Sequence, residues 1–209
     1  MKSLYYKIAP TNNGGYPQVD CDSVPVIQLI SEWKRYNTSL FSLEFSLKKK
    51  AILTDLLSTT AGPYADLLIS SKFKDLISDC KIMGHQYFKA MVNTKKGVQA
   101  YFFLHLCQPD LVNYIDYKKT LFYETEWEFY KAPIYIESYE HYVNLKSKDE
   151  KASFGVSIEK LVMDDNFDRN IDMFYLLPFD SSLYVSERLK NKIEKYQVTG
   201  IKFVEEISI

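Results

Sequence analysis

Histidine and cysteine residues at short spacing are the first features of this sequence that suggest chemistry. His105 and Cys107 are two residues apart, so they share one face if this segment is a strand, and His85 is a further possible ligand. A structural zinc site needs four ligands at recognisable spacings, which these three residues do not supply. His141 has no nucleophile candidate beside it in the sequence. We therefore predict no metal site and no catalytic role for His141.

Acidic residues in "DDNFDRN" have the spacing of a calcium-binding loop, with oxygen ligands at Asp164, Asn166 and Asp168. Such a loop needs Gly at its sixth position and a bidentate Glu at its twelfth. Those positions are Arg169 and Tyr175 here, so we predict a polar turn. The sequence also lacks the usual nucleotide-binding, hydrolase and zinc-protease signatures, and no carboxylate pair is singled out as acid and base. We predict no cofactor and no enzymatic activity.

A third acidic group has more functional potential. Glu124, Glu126 and Glu128 alternate with Tyr123, Thr125, Trp127 and Phe129, which predicts a strand with one acidic and one aromatic face. Carboxylates about 6.6–7 Å apart on one face would attract a basic surface, such as the substrate cleft of a nuclease. The alternative is a solvated sheet face or a strand edge protected by charge.

Composition excludes several classes of protein. The 209 residues carry a formal net charge of −1, and the longest basic run is the three lysines at 48–50, which argues against a general nucleic-acid binder. Three cysteines without a CxxC pair fit a reducing compartment. No signal peptide and no membrane span is recognisable, so we expect a cytoplasmic protein. The 17 tyrosines and 13 phenylalanines are unusual and suit a protein–protein interface.

The elements that would position these residues are strands and short helices. Alternation over residues 41–47 predicts a half-buried strand, and residues 4–8 form another. The apolar run at 98–107 predicts a buried strand that pairs back across a Lys-Lys-Gly turn. Periodicity does not decide between strand and helix at 24–36.

One unit occurs twice, at residues 69–91 and 185–207, which align without a gap. The identities are Ser70/Ser186, Lys74/Lys190, Ile77/Ile193 and Gly84/Gly200. Each unit reads as a Ser N-cap, a short helix with an apolar stripe, a Gly with positive φ that ends the helix, and a strand. The stripes are Phe73, Ile77 and Cys80 in one unit and Leu189, Ile193 and Tyr196 in the other.

The predicted fold class is therefore α+β, with mixed or antiparallel sheets, short amphipathic helices and two related halves. We predict a β-rich N-terminal part at residues 1–63 and a core at 64–209 that contains both units. Together they make one compact domain.

The segments "SSKFKDLISDCKIMGHQYFKA", "YFFLHL", "YIDYKKTLFY" and "VSERLKNKIEKYQVTGIKF" together resemble bacterial immunity proteins of polymorphic toxin systems, the myxobacterial-type family. The resemblance covers residues 64–209, and the first 60 residues show no match. It implies an antidote that binds a cognate secreted or contact-delivered toxin inside the producing cell. The family has no motif-defined catalytic residues, and the first 60 residues are a hypothetical site of partner specificity.

The resemblance and the aromatic content together predict a stoichiometric toxin-binding protein, with a toxin domain as partner and no nucleic-acid or membrane partner. Two alternatives stay open: an enzyme that reverses a toxin's modification through His85, His105 or Asp116, and a self-associating structural protein. The predicted toxin-contact residues share one segment and are Tyr114, Tyr117, Tyr123, Glu124, Glu126, Trp127 and Glu128.

Overall fold

The computed structural model describes residues 3–11, 13–14, 17–23, 34–36, 42–59, 67–107 and 110–209. Most of the ambiguous segment 24–36 lies outside these residues, as does the predicted boundary between 63 and 64. Within them, thirteen strands form three sheets that pack with three α-helices. The predicted α+β class is confirmed, and the division at residue 63 stays a prediction.

The strands, in chain order, are β1 (Leu4–Pro10), β2 (Val19–Cys21), β3 (Ser42–Leu47), β4 (Leu56–Leu57), β5 (Leu67–Ser70), β6 (His85–Thr94), β7 (Gly97–Leu106), β8 (Leu121–Glu126), β9 (Phe129–Ile134), β10 (Phe154–Lys160), β11 (Met173–Leu176), β12 (Asp180–Ser186) and β13 (Ile201–Ser208). The helices are α1 (Ser71–Leu76), α2 (Tyr139–Ser147) and α3 (Glu187–Lys195), and a 3₁₀ helix covers Asp110–Tyr114.

The strands form a six-stranded sheet in the order β2-β3-β6-β7-β5-β4, a four-stranded sheet β11-β12-β1-β13, and a three-stranded sheet β10-β8-β9. Neighbouring strands are antiparallel except β3 and β6, which are parallel. The strand predicted at 41–47 is confirmed over 42–47, with Leu43 and Phe45 buried, while Phe41 lies outside the described residues. The hairpin predicted across the Lys-Lys-Gly turn is β6–β7.

The two repeat units occupy matching places in two matching sheets. The order β4-β5-β7-β6 in the large sheet corresponds to β11-β12-β1-β13 in the four-stranded sheet, so β5, α1 and β6 match β12, α3 and β13. The strand that matches β7 is β1, which comes from the opposite end of the chain. The second half is therefore a circular permutation of the first, and β1 completes it by pairing with both β12 and β13.

The identical serines and the identical lysines have the same role in both halves. The Ser70 and Ser186 hydroxyls accept the N–H groups of Phe73 and Leu189 at 3.2 and 3.1 Å, and so cap α1 and α3. Lys74 and Lys190 each lie over two aromatic rings, a cation–π arrangement. The ring centroids are 4.6–5.3 Å from the ammonium nitrogens and belong to Tyr87 and Phe102 for Lys74 and to Tyr6 and Phe203 for Lys190.

The predicted turn glycines need one correction. Gly84 and Gly200 directly precede β6 and β13, but only Gly200 has a positive φ, of 86°. Neither glycine ends its helix: α3 stops earlier, where Gln197 adopts a φ of 50° and the Val198 N–H bonds back to the carbonyl of Ile193.

The apolar stripes are confirmed where they face the sheets. Phe73, Ile77, Leu189 and Ile193 are all buried. Tyr196 was wrongly assigned to the stripe, because it follows the last helical residue and is 55% exposed.

Asp55 and Asp172 join the two halves reciprocally. Each carboxylate accepts a hydrogen bond of 2.7 Å from the N-cap serine hydroxyl of its own half. Each also accepts a backbone N–H from the turn that follows the helix of the other half. Asp55 binds the N–H of Thr199 at 2.8 Å, and Asp172 binds the N–H of Lys81 at 2.7 Å. We call this pair of aspartates and their partners the aspartate clamp.

Two tyrosines support the clamp in the same way. Tyr101 lies opposite the N-cap serine in the neighbouring strand, and its hydroxyl donates to the carbonyl of Thr54 at 2.6 Å. Tyr5 lies opposite the other N-cap serine and donates to the carbonyl of Ile171 at 2.9 Å. Each of these carbonyls immediately precedes a clamp aspartate, so the backbone that carries the carboxylate is fixed.

Asp172 is the more buried clamp residue, with 2% of its side chain exposed against 13% for Asp55. Burial alone would raise the pKa of Asp172, but hydrogen bonds from Arg188, Ser186 and the N–H of Lys81 outweigh burial and hold the pKa below its ordinary value. A carboxyl group of this kind stabilises the fold above its unfolded pKa of about 3.9, and this contribution disappears as the pH falls through the folded pKa.

We expect Asp172→Asn to lower the free energy of unfolding at neutral pH by about 1–3 kcal/mol, because the asparagine amide leaves a buried donor unpaired. Urea unfolding followed by circular dichroism measures the loss. The difference from wild type should shrink as the pH falls from about 3.9 through the lowered folded pKa, because the unfolded carboxyl takes up its proton first and the folded one only at lower pH.

Asp20→Asn is the control, because the Asp20 side chain is 64% exposed and pairs only with Lys48 among the described residues. Its effect should stay within about 0.5 kcal/mol. Equal losses in the two variants would show that the clamp does not contribute as described.

A second prediction concerns close backbone approach at Gly200. A Cβ added there would lie 2.2 Å from the carbonyl oxygen of Leu56, whereas one added at Gly97 meets nothing within 4 Å although both residues have positive φ. Gly97→Ala should cost only conformational strain, about 1–2 kcal/mol, and Gly200→Ala should cost clearly more. Equal midpoints of thermal unfolding for the two variants would contradict this.

Candidate functional site: an aromatic hairpin

The predicted contact segment is a hairpin made of β8 and β9. Its two-residue turn consists of Trp127 and Glu128, whose φ values of 52° and 71° reverse the chain between Glu126 and Phe129. The predicted continuous strand from 123 to 129 is therefore wrong. Glu124 and Glu126 lie on one face of β8, but Glu128 lies in the turn, so the three carboxylates do not form one ladder.

Charge on the hairpin is partly neutralised. Glu124 is half-buried and forms an ion pair of 2.7 Å with Lys131, which comes from β9. Glu126 and Glu128 are exposed and have no ion pair among the described residues. The negative charge of the hairpin is thus concentrated beside the turn.

Large apolar side chains are exposed at the same end of the hairpin. The exposed fractions are 63% for Trp127, 77% for Phe129 and 64% for Tyr130. The Tyr130 ring packs on Tyr123 with 5.3 Å between centroids. Exposed aromatic groups of this kind are enriched at protein interfaces, because each buries a large area at little cost in side-chain entropy. We call Trp127, Phe129 and Tyr130 the aromatic tip.

The hairpin is held firmly along β8 and at its turn. β8 also pairs with β10, and the Trp127 N–H donates to the carbonyl of Ser153 at 2.9 Å. Asp149 fixes the start of β10 by accepting the N–H of Phe154 at 2.8 Å. The ring of Tyr142 in α2 packs 4.9 Å from that of Phe179 in the core. The tip is therefore a preorganised surface.

Tyr114 and Tyr117 do not belong to the tip. The Tyr117 hydroxyl donates to the carbonyl of Val112 at 3.0 Å, and its ring stacks on Phe122 at 5.7 Å, so it supports the base of β8. Burial raises the pKa of Tyr117. Tyr114 is 36% exposed at the end of the 3₁₀ helix, and no hydrogen bond or ring contact joins it to the hairpin in the described part of the chain.

A polar groove of about 600 Å³ lies beside the hairpin. Its lining residues include Lys7, Tyr123, Glu128, Asp180, Ser181 and Ser182. Lys7 forms ion pairs with Asp180 at 3.1 Å and Glu205 at 3.0 Å, and the Tyr184 hydroxyl donates to Asp180 at 2.5 Å. Burial would lower the pKa of Lys7, but the two carboxylates outweigh it and raise this pKa. Lys7 is thus a cation paired with two carboxylates.

The three residues of the enzymatic alternative, His85, His105 and Asp116, do not share one site. Gln86 pairs with His105 across β6 and β7, so His85, one residue earlier, points to the opposite face of the sheet from His105. His85 Nδ1 contacts the carbonyl of Met83, and buried His105 contacts that of Lys34. Asp116 pairs with Lys119 in a surface turn.

The described residues contain no group of three or more His, Cys, Asp or Glu side chains that could hold a metal ion. The calcium-like segment is the predicted polar turn: Asp164 accepts the N–H groups of Asn166 and Phe167, and Asp168 accepts that of Asn170. In the same residues, no helix has the length and apolar character needed to cross a membrane.

Sequence reasoning missed Phe129 and Tyr130 as members of the exposed group. The cause is the turn: Trp-Glu carries none of the Asn-Gly or Asp-Gly signals that mark a type I′ hairpin, so the segment read as one strand. The alternation of acidic and aromatic residues continues through Trp127 and Glu128, although the chain reverses direction there.

Comparison with known proteins places this architecture in a family. The model of the immunity protein family Imm11 matches residues 3–206, which includes both halves and also the first 60 residues, where the sequence segments above showed no resemblance. No curated protein matches the chain. Immunity families act in toxin neutralisation, and their general partner is a toxin protein. Because the match spans nearly the whole sequence, the chain belongs to the immunity protein family Imm11.

Proposed function

We propose that the protein neutralises one cognate bacterial toxin by stoichiometric binding, and that the aromatic tip is the centre of the contact. The observation that carries the proposal is the exposure of Trp127, Phe129 and Tyr130 on a hairpin that pairs with β10 and is fixed at its turn. Interfaces gain most of their affinity from a few such anchors, surrounded by residues that exclude water.

The proposal places the acidic residues in a supporting role. Glu126 and Glu128 flank the anchors and would guide a basic toxin surface toward them, because complementary charge raises association rates more than affinity. A basic surface is what a nuclease cleft presents, so a toxin that acts on nucleic acid is one suitable partner.

Binding rather than turnover is favoured by the state of the candidate catalytic groups. The two strand histidines point to opposite faces, and Lys7 is neutralised by two carboxylates. We place the complex in the cytoplasm of the producing cell, where it would block a toxin delivered by secretion or contact between competing bacteria.

The proposal is tested by capturing the partner on tagged protein in lysate of the producing strain, and then titrating the purified toxin domain by calorimetry. We expect a one-to-one complex and protection of toxin-expressing cells only when the protein matches the toxin in amount. Protection by catalytic amounts would instead support the enzymatic alternative, and a stable oligomer that binds no toxin would support self-association.

Truncating the anchors should weaken the complex. We expect Trp127→Ala and Phe129→Ala each to reduce the binding free energy by about 2–4 kcal/mol, because each removes a large apolar group from the interface centre. Calorimetric titration with the toxin domain measures the change. Tyr196→Ala is the matched control, since Tyr196 is similarly exposed, at 55%, but lies at the end of α3. A loss below about 0.5 kcal/mol for both tip variants would remove the tip from the interface.

Charge reversal should act on the association rate. For the double variant Glu126→Lys/Glu128→Lys we expect an on-rate at least about tenfold lower at low salt, with the difference fading as salt is added. Stopped-flow fluorescence with the toxin domain measures the on-rates of the variant and of wild type. The control Glu150→Lys/Glu159→Lys makes the same change in net charge at exposed positions elsewhere. An unchanged on-rate for the hairpin variant at low salt would contradict the steering role.

A further inference from the structure

A second surface, on the six-stranded sheet, concentrates positive charge. β3 and β6 are parallel, so both end at the same edge of the sheet. The lysines at 48–50 directly follow β3, and Lys95 and Lys96 form the turn after β6. The topology therefore gathers five lysines of a protein whose net charge is only −1. Among the described residues, the only carboxylate paired with them is Asp20, at 3.2 Å from Lys48.

These lysines border a groove of about 460 Å³, a volume within the usual range for ligand sites. Four of them line it, and the apolar lining comes from Leu47, Ala51 and Leu53. Leu53 is 38% exposed, and Ile52 and Val98 nearby are 60% and 59% exposed. We call this surface the basic groove.

The loop that forms one wall is held in place before any partner arrives. The side-chain amide of buried Gln18 donates to the carbonyl of Ile52 at 2.9 Å, and the Ile52 N–H donates to the backbone carbonyl of Asn13 at 3.0 Å. The N–H of Lys48 donates to the carbonyl of Gln18 at 3.0 Å. Binding there would not have to order this backbone, which favours affinity.

We propose that the basic groove binds an acidic, leucine-bearing polypeptide segment of the toxin protein, as a second contact separate from the aromatic tip. Lysine ammonium groups pair with carboxylates in many geometries, and the aliphatic lining accepts apolar side chains. Single-stranded nucleic acid fits less well, because none of the described residues that line the groove is aromatic and bases would find no ring among them to stack on. That the toxin supplies this segment rests on the proposed function. That the groove binds a segment of this chemistry does not.

The test uses the full protein and a fluorescent peptide of alternating Glu and Leu, with a Gln/Leu peptide, oligothymidylate and phosphatidylserine vesicles as competitors of other chemistry. Fluorescence anisotropy should show saturable binding of the Glu/Leu peptide that weakens with salt. Lys49→Glu/Lys95→Glu/Lys96→Glu should raise its Kd at least about tenfold. Equal binding of the Gln/Leu peptide, or tighter binding of the oligonucleotide or vesicles, would overturn the proposal.

Matched variants separate charge from folding and from the tip. Lys118→Glu/Lys151→Glu/Lys160→Glu makes the same charge change at exposed lysines outside the groove and should leave the Kd within about twofold. Lys→Gln at positions 49, 95 and 96 should also weaken binding, and its unfolding temperature should match that of wild type. Trp127→Ala should retain peptide binding. If toxin binding depends on Trp127 but the peptide never binds, the groove proposal fails and the proposed function stands.

Discussion

The structure depends on two carboxylates that each serve both halves of the molecule. Asp55 and Asp172 cap their own helices through serine and hold the turn of the opposite half through a backbone N–H. A buried carboxylate is costly unless several donors surround it, so each half satisfies a need of the other. This reciprocity explains why two short helices, marginal alone, are well defined in the fold.

With the two halves fixed, the rest of the chain can carry binding surfaces. The three-stranded sheet contributes the aromatic tip, and the six-stranded sheet contributes the basic groove; neither surface is part of the duplicated unit. The two surfaces carry opposite charge, although the net charge of the protein is close to zero. Family membership accounts for the general role in toxin neutralisation, and our proposals assign specificity to these side chains.

Much of the fold could be predicted from residues whose role is local. Ser70 and Ser186 predict where the two helices begin, and Phe73 and Leu189 predict which helix face is buried. In each unit the helix is followed by a strand, as the sequence pattern indicates. The clamp aspartates could not be found this way, because they lie well before the aligned units and act through contacts distant in sequence. The match between β1 and β7 could not be found from the sequence either. Tyr101 follows the helix of its half, whereas Tyr5 precedes the helix of its half. A gap-free comparison of the two units therefore cannot align these tyrosines.

The candidate site was harder to predict than the fold. The right segment was identified because aromatic and acidic residues alternate there, but Glu128 was placed on a strand that in fact ends at Glu126. Where a turn lacks its usual residues, the surrounding sheet determines its position. Here the pairing of β8 with β10 and the hydrogen bond from the Trp127 N–H to the Ser153 carbonyl do so. Tyr117 was misjudged as a surface residue for a related reason, since its hydroxyl finds a partner only in the folded 3₁₀ segment.

The position of β1 has a consequence for synthesis on the ribosome. Residues 11–179 separate it from β12, its first partner in the four-stranded sheet. At about 5–20 residues per second, translation leaves this apolar strand without its neighbours for on the order of ten to thirty seconds. The first half has all its strands by then and can fold early, while the nascent chain must keep β1 from pairing elsewhere. The complete fold therefore forms only once the last strand has left the ribosome.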